Sequence, residues 1–227
     1  LERSFKKMKL NVMTSASVEK VDTTGEKCKV TIKTKKGEEI IEADIVLSAV
    51  GIAPNIEGIG LEELKIELDK GRIKTDEFYK TNVDGVYAIG DIVHGPALAH
   101  VASREGIVCV EKIAGHLPKV VDYENIPACT YTNPEVASVG ITQKTAEDRG
   151  HKVRIGNFPF RASGKATASG NIDGFVKLVV DAETDLVLGC TMVGDNVTEM
   201  IQEVAVARER GMKAAELLAT IHPHPTM

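Results

Sequence analysis

The sequence lacks the features of a membrane protein, of a zinc-binding protein and of a local redox centre. Its longest apolar runs, such as residues 45–53, are well short of the ~20 residues that span a bilayer. Its cysteines form neither a CxxC nor a CxxxxC pair; they are Cys28, Cys109, Cys129 and Cys190. We therefore expect no membrane segment and no metal, and we expect the cysteines to be small buried side chains in a reducing compartment.

The chain also lacks an excess of positive charge. Lysine and arginine number 28 against 33 acidic residues, which gives a net charge of −5, and no basic stripe carries interleaved aromatic side chains. These features argue against a nucleic-acid partner. At 227 residues with 43% hydrophobic positions, the chain can form one large or two modest globular domains.

The first ten residues contain neither an initiator methionine nor the unbroken apolar stretch of a signal peptide, because charged residues interrupt them. We therefore expect the chain to begin inside a domain. A fragment of a longer protein, made by expression or by cleavage, would explain this start.

Strand signals dominate the beginning of the chain. Alternating and β-branched residues predict strands in residues 11–21 and 28–34, and a turn at Gly37 leads into a further strand at residues 39–42. The apolar run at residues 43–51 ends in glycine and predicts a strand buried on both faces, as in a parallel α/β sheet.

A second apolar strand is predicted at residues 85–90, directly before Asp91, and apolar residues at helical spacing predict a helix within residues 97–116. Open α/β sheets bind ligands where a strand ends beside a helix N-terminus. Gly90 would let backbone approach a ligand, and Asp91 would offer two acceptor oxygens to a diol. The alternative is a strand followed by an ordinary acidic turn.

Beyond Pro118 the pattern changes to strands followed by helices, which predicts an α+β domain with a boundary near residue 120. Strand signals occur at residues 126–139, 153–160, 175–181 and 187–193. Helix signals occur at residues 142–150, with Thr142 as N-cap and Gly150 as stop, and at residues 196–210 and 214–219.

The stretch TNVDGVYAIGD at residues 81–91 resembles the second FAD-binding motif of the pyridine nucleotide-disulfide oxidoreductases, whose aspartate bonds a hydroxyl of the flavin's ribityl chain. The resemblance implies FAD binding by Gly90 and Asp91. The next segment, residues 95–100, is similar to the family segment whose backbone amides face the flavin. It implies FAD contacts from four residues: Ala97, where the family commonly has methionine, Leu98, Ala99 and His100. His100 could equally be a packed surface histidine.

The last residues, IHPHPTM, contain two prolines that fix how two imidazoles project. They could form a rigid tail or an adventitious metal site. They are similar to the HxHPT sequence of dihydrolipoyl dehydrogenases, in which the histidine before Pro-Thr is the general base for the disulfide of the partner subunit. The resemblance makes His224 the catalytic base and His222 structural. The family's orienting carboxylate would fall beyond Met227.

The segment AVGIAPN at residues 49–55 resembles the stretch where the family's nicotinamide domain returns to the FAD domain. It implies that Gly51 lies against NAD, although many members carry arginine where this chain has Ile52. By position, Val18 matches a strand residue near the adenine. The stretch at residues 131–140 is similar to the opening of the family's interface domain.

The resemblance covers the whole chain in order, but GxGxxG, CxxxxC and GGGxxG, which belong to the family's N-terminal half, are missing. It implies a mixed α/β and α+β fold, with partial doubly wound NAD- and FAD-binding domains followed by an α+β dimerisation domain that lacks its last residues. The domain limits would be residues 1–51, 52–120 and 121–227.

The resemblance implies part of a dihydrolipoyl dehydrogenase, a homodimer that uses FAD and NAD to reoxidise the lipoyl domain of a dihydrolipoyl acyltransferase in a 2-oxoacid dehydrogenase complex. The compartment would be a bacterial cytoplasm or a mitochondrial matrix. We expect the fragment to be inactive alone and to associate through unpaired strand edges. Alternatives are a glutathione or mercuric reductase, which the doubled histidine disfavours, and a non-catalytic dimerisation module.

Overall fold

The computed structural model describes residues 1–227, which divide into two compact units, Leu1–Ala53 and Pro54–Met227. The predicted domain limits at residues 51 and 120 stay predictions.

The first unit consists of one short helix and a three-stranded antiparallel sheet. Helix α1 spans Glu2–Lys7 and is followed by β1 (Ser17–Asp22), β2 (Cys28–Thr34) and β3 (Gly37–Ala43), in the order β1-β2-β3. The predicted hairpin is confirmed, with Thr34 paired to Gly37 at the turn. Among the hydrophobic side chains of this unit only Ile32 is buried, so the sheet has little core of its own.

The prediction of a strand at residues 43–51 is wrong beyond Ala43, where β3 ends. No strand forms in residues 44–53, and Ile45, Leu47 and Val50 are 86%, 88% and 94% exposed. An apolar run forms a doubly buried strand only when neighbouring strands and covering helices surround it. No strand of this chain pairs with the run.

The second unit begins with short elements around a small core. They are β4 (Leu68–Asp69), β5 (Arg72–Ile73), a 3-10 helix at Gly90–Ile92 and helix α2 (Ala99–Ile113). The predicted helix is confirmed, but the predicted strand at residues 85–90 is wrong. It is reduced to a single bridge between Lys80 and Tyr87, because no second strand lies alongside it. Its inward side chain, Ala88, is nevertheless buried.

The C-terminal part of the second unit is an α+β layer, as predicted. Its antiparallel sheet has the order β6-β7-β10-β9-β8. The strands are β6 (Ala128–Thr130), β7 (Glu135–Gly140), β8 (Val153–Pro159), β9 (Phe175–Asp181) and β10 (Val187–Gly194). The helices are α3 (Gln143–Asp148), α4 (Gly164–Ser169), α5 (Val197–Glu209) and α6 (Ala214–Ala219), with 3-10 turns at Tyr123–Asn125 and Phe160–Ala162.

Helix α5 covers the centre of this sheet, against β7 and β10. Its buried residues Val197, Ile201, Val204 and Ala205 recur at helical spacing, which puts them on the face that packs on the sheet. The predicted N-cap of α3 is also confirmed, since the Thr142 hydroxyl accepts a hydrogen bond from the Thr145 N–H. No helix of the chain combines the length and apolar character needed to cross a membrane.

Candidate functional site

The residues predicted to bind FAD lie in the second unit, on the turn that leads from Gly90 to the start of α2. Arg72 holds this turn from one side, donating from Nη1 to the carbonyl oxygens of Asp91 (2.5 Å) and Val93 (2.9 Å). Gly90, with φ of +75°, donates its N–H to Glu105 Oε2 at 2.6 Å. The backbone around Asp91 is therefore fixed by two side chains that are distant in sequence.

The Asp91 side chain is exposed, and no group of the chain hydrogen-bonds or ion-pairs with its carboxylate. A carboxylate is an acceptor with two oxygens, which suits it to a ligand with vicinal hydroxyls. The Asp91 carboxylate is therefore available to a ligand, on a backbone that Arg72 and Glu105 hold in place.

Helix α2 starts a few residues later and also has unused hydrogen-bonding groups. Its N-cap, Leu98, has no side chain that could accept a hydrogen bond. The N–H groups of Ala99 and His100 have no acceptor within the chain. The positive end of the helix dipole is therefore open to an electron-rich ligand. The His100 ring is engaged elsewhere, with Nε2 3.2 Å from the carbonyl oxygen of Pro127.

A polar cluster around the buried carboxylate of Glu105 lies behind the Gly90 turn, and the sequence does not predict it. Glu105 is 1% exposed, and its Oε1 accepts from the hydroxyl of Tyr123 at 2.6 Å. The Tyr123 hydroxyl lies 3.1 Å from that of Tyr79. Burial is the main cause that raises the pKa of both tyrosines, and the bond to Glu105 raises that of Tyr123 further. The available signal was an acidic residue on the apolar face of α2, in line with Val101 and Val108.

The predicted base lies at the end of the second unit. His224 is exposed and has no hydrogen-bond partner in the chain. His222 is held at both ring nitrogens, with Nδ1 2.8 Å from the Thr220 carbonyl and Nε2 2.5 Å from Glu203 Oε1. The hydrogen bond to Glu203 raises the pKa of His222. The segment is thus anchored at His222 and leaves the His224 imidazole free.

The two residues predicted to contact NAD lie in the first unit. Val18 is on β1, paired with Ile32 and 60% exposed. Gly51 lies outside the sheet with φ of +126° and no atom within 4 Å of where a Cβ would be. At Gly51 the backbone is accessible to close approach by a ligand. The apolar side chain of Val18 is exposed and accessible to the ring of a nucleotide base.

The chain holds no disulfide and no group of three or more side chains arranged to bind a metal ion. Cys109 and Cys190 are buried, and burial raises the pKa of the Cys190 thiol to about 12. A thiol with so high a pKa is a poor nucleophile. The groups that remain available to a ligand near the Gly90 turn are the Asp91 carboxylate and the N–H groups of Ala99 and His100 at the start of α2.

Comparison with known proteins gives two family matches. A family model described as pyridine nucleotide-disulphide oxidoreductase matches residues 1–106. A second, described as the pyridine nucleotide-disulphide oxidoreductase dimerisation domain, matches residues 126–227. The two matches follow one another along the chain and together leave only a short stretch uncovered.

Similar proteins carry one name repeatedly. The dihydrolipoyl dehydrogenase of Rhizobium etli is 46% identical over 228 residues, covering 99% of this chain and 47% of that relative. The mitochondrial dihydrolipoyl dehydrogenase of Pisum sativum is 42% identical over 229 residues, covering 100% of the chain and 46% of the relative. The solved structure of LpdA from Mycobacterium tuberculosis matches with a TM-score of 0.90 and 29% identity, covering 99% of the chain and 49% of that structure. The chain spans about half the length of the curated relatives it matches.

Proposed function

Because this chain belongs to the pyridine nucleotide-disulphide oxidoreductase family, we propose that it is the C-terminal portion of a dihydrolipoyl dehydrogenase. The observation that carries the proposal is the Asp91 carboxylate, unpaired on a backbone fixed by Arg72 and Glu105. The names of the relatives point to the dihydrolipoyl substrate. The whole protein would oxidise dihydrolipoyl groups with NAD.

In that enzyme, bound FAD would take two electrons from a dithiol and pass them to NAD. Asp91 would bind a ribityl hydroxyl with a carboxylate oxygen. Gly90 and the segment Ala97, Leu98, Ala99 and His100 would present backbone to the flavin, and the open N–H groups of α2 would stabilise negative charge there. Gly51 and Val18 would contact the NAD nucleotide.

His224 would be the general base. Its imidazole would take the proton from a substrate thiol, leaving the thiolate that attacks a disulfide. The disulfide would be that of the partner subunit, so the enzyme would act as a homodimer. The match of residues 126–227 to a dimerisation domain supports this arrangement. His222, tied to Glu203, would keep the segment in place.

The physiological partner would be the lipoyl domain of a dihydrolipoyl acyltransferase, in a bacterial cytoplasm or a mitochondrial matrix. The domains would be the end of the NAD-binding domain (residues 1–51), the end of the FAD-binding domain (residues 52–120) and the dimerisation domain (residues 121–227). Relatives from a bacterium and from a plant mitochondrion support both compartments.

The test uses the intact gene product that contains this sequence. We expect dihydrolipoamide-dependent reduction of NAD, and we expect His224→Gln to lower kcat by about 10²–10⁴-fold with the flavin still bound. His116→Gln, at an exposed histidine just beyond α2, is the control. Reduction of glutathione disulfide, with no activity on dihydrolipoamide, would refute the assignment.

The chain of 227 residues contains no CxxxxC pair, so we propose that it has no dehydrogenase activity alone. It would act only as a dimerisation module, which the match of residues 126–227 favours. Exposed apolar side chains such as Ile45 and Leu47 favour association. Sedimentation at micromolar concentration should show dimers or larger species, and a stable, well-folded monomer would contradict the proposal.

A further inference from the structure

We infer that Glu105 is a positioning residue for the turn at residues 90–95. Its buried carboxylate accepts a hydrogen bond from the Gly90 N–H and thereby fixes the backbone that carries the Asp91 carboxylate. The inference rests on the proposed flavin role of Asp91. It assigns to an interior residue of α2 a part in binding that the sequence motif at residues 81–91 does not contain.

The first support is that Glu105 is an acid in a place where packing alone would favour an apolar side chain. It is 1% exposed and lies on the helix face that also carries buried Val101 and Val108. No cationic side chain forms an ion pair with it. A buried carboxylate is costly unless hydrogen bonds replace its hydration. The bonds it makes therefore account for its presence.

The second support is where those bonds go. One oxygen accepts from the backbone of Gly90 and the other from the hydroxyl of Tyr123, both at 2.6 Å. Hydrogen bonds to a charged acceptor are about twice as strong as neutral ones. Gly90 also packs closely on α2, since a Cβ there would lie 3.2 Å from Ala102 Cβ. The turn is drawn against the helix immediately before Asp91.

The third support is that the cluster holds both ends of the turn. The Tyr123 ring lies under Gly95, where an added Cβ would be 2.9 Å from its Cε1. Tyr79 contacts the Tyr123 hydroxyl from the far side. Glu105 thus links the start of the turn at Gly90 with its end at Gly95, while the Asp91 side chain is left without a partner.

The test compares Glu105→Leu with Glu105→Gln, which keeps one acceptor oxygen, and with Glu111→Gln at an unpaired acid later in α2 as control. In the 227-residue chain, hydrogen exchange measured by NMR should be faster at the Gly90 amide by about 10–100-fold in Glu105→Leu. Glu105→Gln should restore most of the protection, and Glu111→Gln should change nothing. Equal acceleration throughout α2 would mean a general loosening of the helix and would overturn the inference.

The second readout is the FAD dissociation constant of the intact enzyme. We expect Glu105→Leu to weaken FAD binding about 10-fold or more, as the Gly90 amide loses its protection. Asp91→Asn should weaken FAD binding while leaving Gly90 exchange unchanged. Normal FAD affinity in Glu105→Leu with impaired affinity in Asp91→Asn would overturn the positioning role alone, whereas normal affinity in Asp91→Asn would refute the flavin site itself.

If Glu105→Leu does not fold, Tyr123→Phe takes its place, because it removes one donor to Glu105 without adding volume. It should accelerate Gly90 exchange less than loss of the carboxylate would, and it should weaken FAD binding in the same direction. Unchanged exchange and unchanged affinity in Tyr123→Phe would then overturn the inference.

Discussion

Gly194→Ala should destabilise the C-terminal sheet strongly, because two separate costs meet at this position. Gly194 ends β10 with φ of +142°. A Cβ there would lie 2.5 Å from Cδ2 of Phe160, which is 2% exposed. Backbone strain of this kind costs about 1–3 kcal/mol, and forcing a packed side chain aside costs about 1–3 kcal/mol more. We expect a total of about 2–6 kcal/mol.

Gly150→Ala provides the matched control. Gly150 also has positive φ, +85°, but no atom lies within 4 Å of where its Cβ would be. It should therefore show only the strain cost, about 1–2 kcal/mol. The cost of Gly194→Ala beyond that of Gly150→Ala contains the displacement of Phe160 together with the difference in backbone strain between φ of +142° and +85°.

The assay is urea unfolding of the 227-residue chain followed by circular dichroism, with the free energy of unfolding extrapolated to water. Combining Gly194→Ala with Phe160→Ala should reduce the cost of the glycine substitution, because the clash is gone. Equal destabilisation by Gly194→Ala and Gly150→Ala, or strict additivity with Phe160→Ala, would refute the reasoning.

Three further predictions concern the same unit. Ile201→Ala should cost about 2–5 kcal/mol in urea unfolding, because Ile201 is 1% exposed; a loss below about 1 kcal/mol would contradict the core assignment. The pKa of Asp181 is lowered below 3.8, mainly by the hydrogen bond that its carboxylate accepts from the Thr184 N–H and next by its hydrogen bond with His151. Its stabilisation is present above that value and is lost as pH falls through the folded pKa, so Asp181→Asn should flatten the acid side of the thermal stability profile. The pKa of His222 is raised above 6.5 by Glu203, so its stabilisation is full below 6.5 and is lost as pH rises through the folded pKa. Glu203→Gln should lower that pKa in an NMR titration, and an unchanged value would show that the bond is not formed.

The C-terminal layer was predictable because its strands find their partners within the chain. Residues 175–181 were predicted as a strand, and β9 has the same limits. These residues are mostly apolar and β-branched, which favours a strand, and the strand pairs with β10 on one side and β8 on the other. The apolar runs at residues 43–51 and 85–90 carry an equally clear signal for burial. That signal does not identify a neighbour, and no strand of the chain pairs along either run.

The candidate site was predictable only as far as local sequence reaches. Gly90 and Asp91 are adjacent, and their motif is readable without tertiary information. The bond from Gly90 to Glu105 joins residues 15 positions apart, and the bond from Tyr123 to Glu105 joins residues 18 positions apart. Such contacts depend on how α2 packs, which no periodicity specifies. Helix α4 is not predicted for a different reason: its sequence, GKATAS, contains glycine, threonine and serine, which are weak helix formers.

The position of β10 in the sheet order has a consequence for synthesis on the ribosome. The last strand of the chain lies in the middle, between β7 and β9. Before Gly194 has emerged, β6 has only β7 to pair with and β8 has only β9. Isolated two-stranded ribbons are marginally stable in water. Cooperative folding of this layer therefore waits for β10 and its covering helix, and nascent chains that end before Gly194 should remain sensitive to protease.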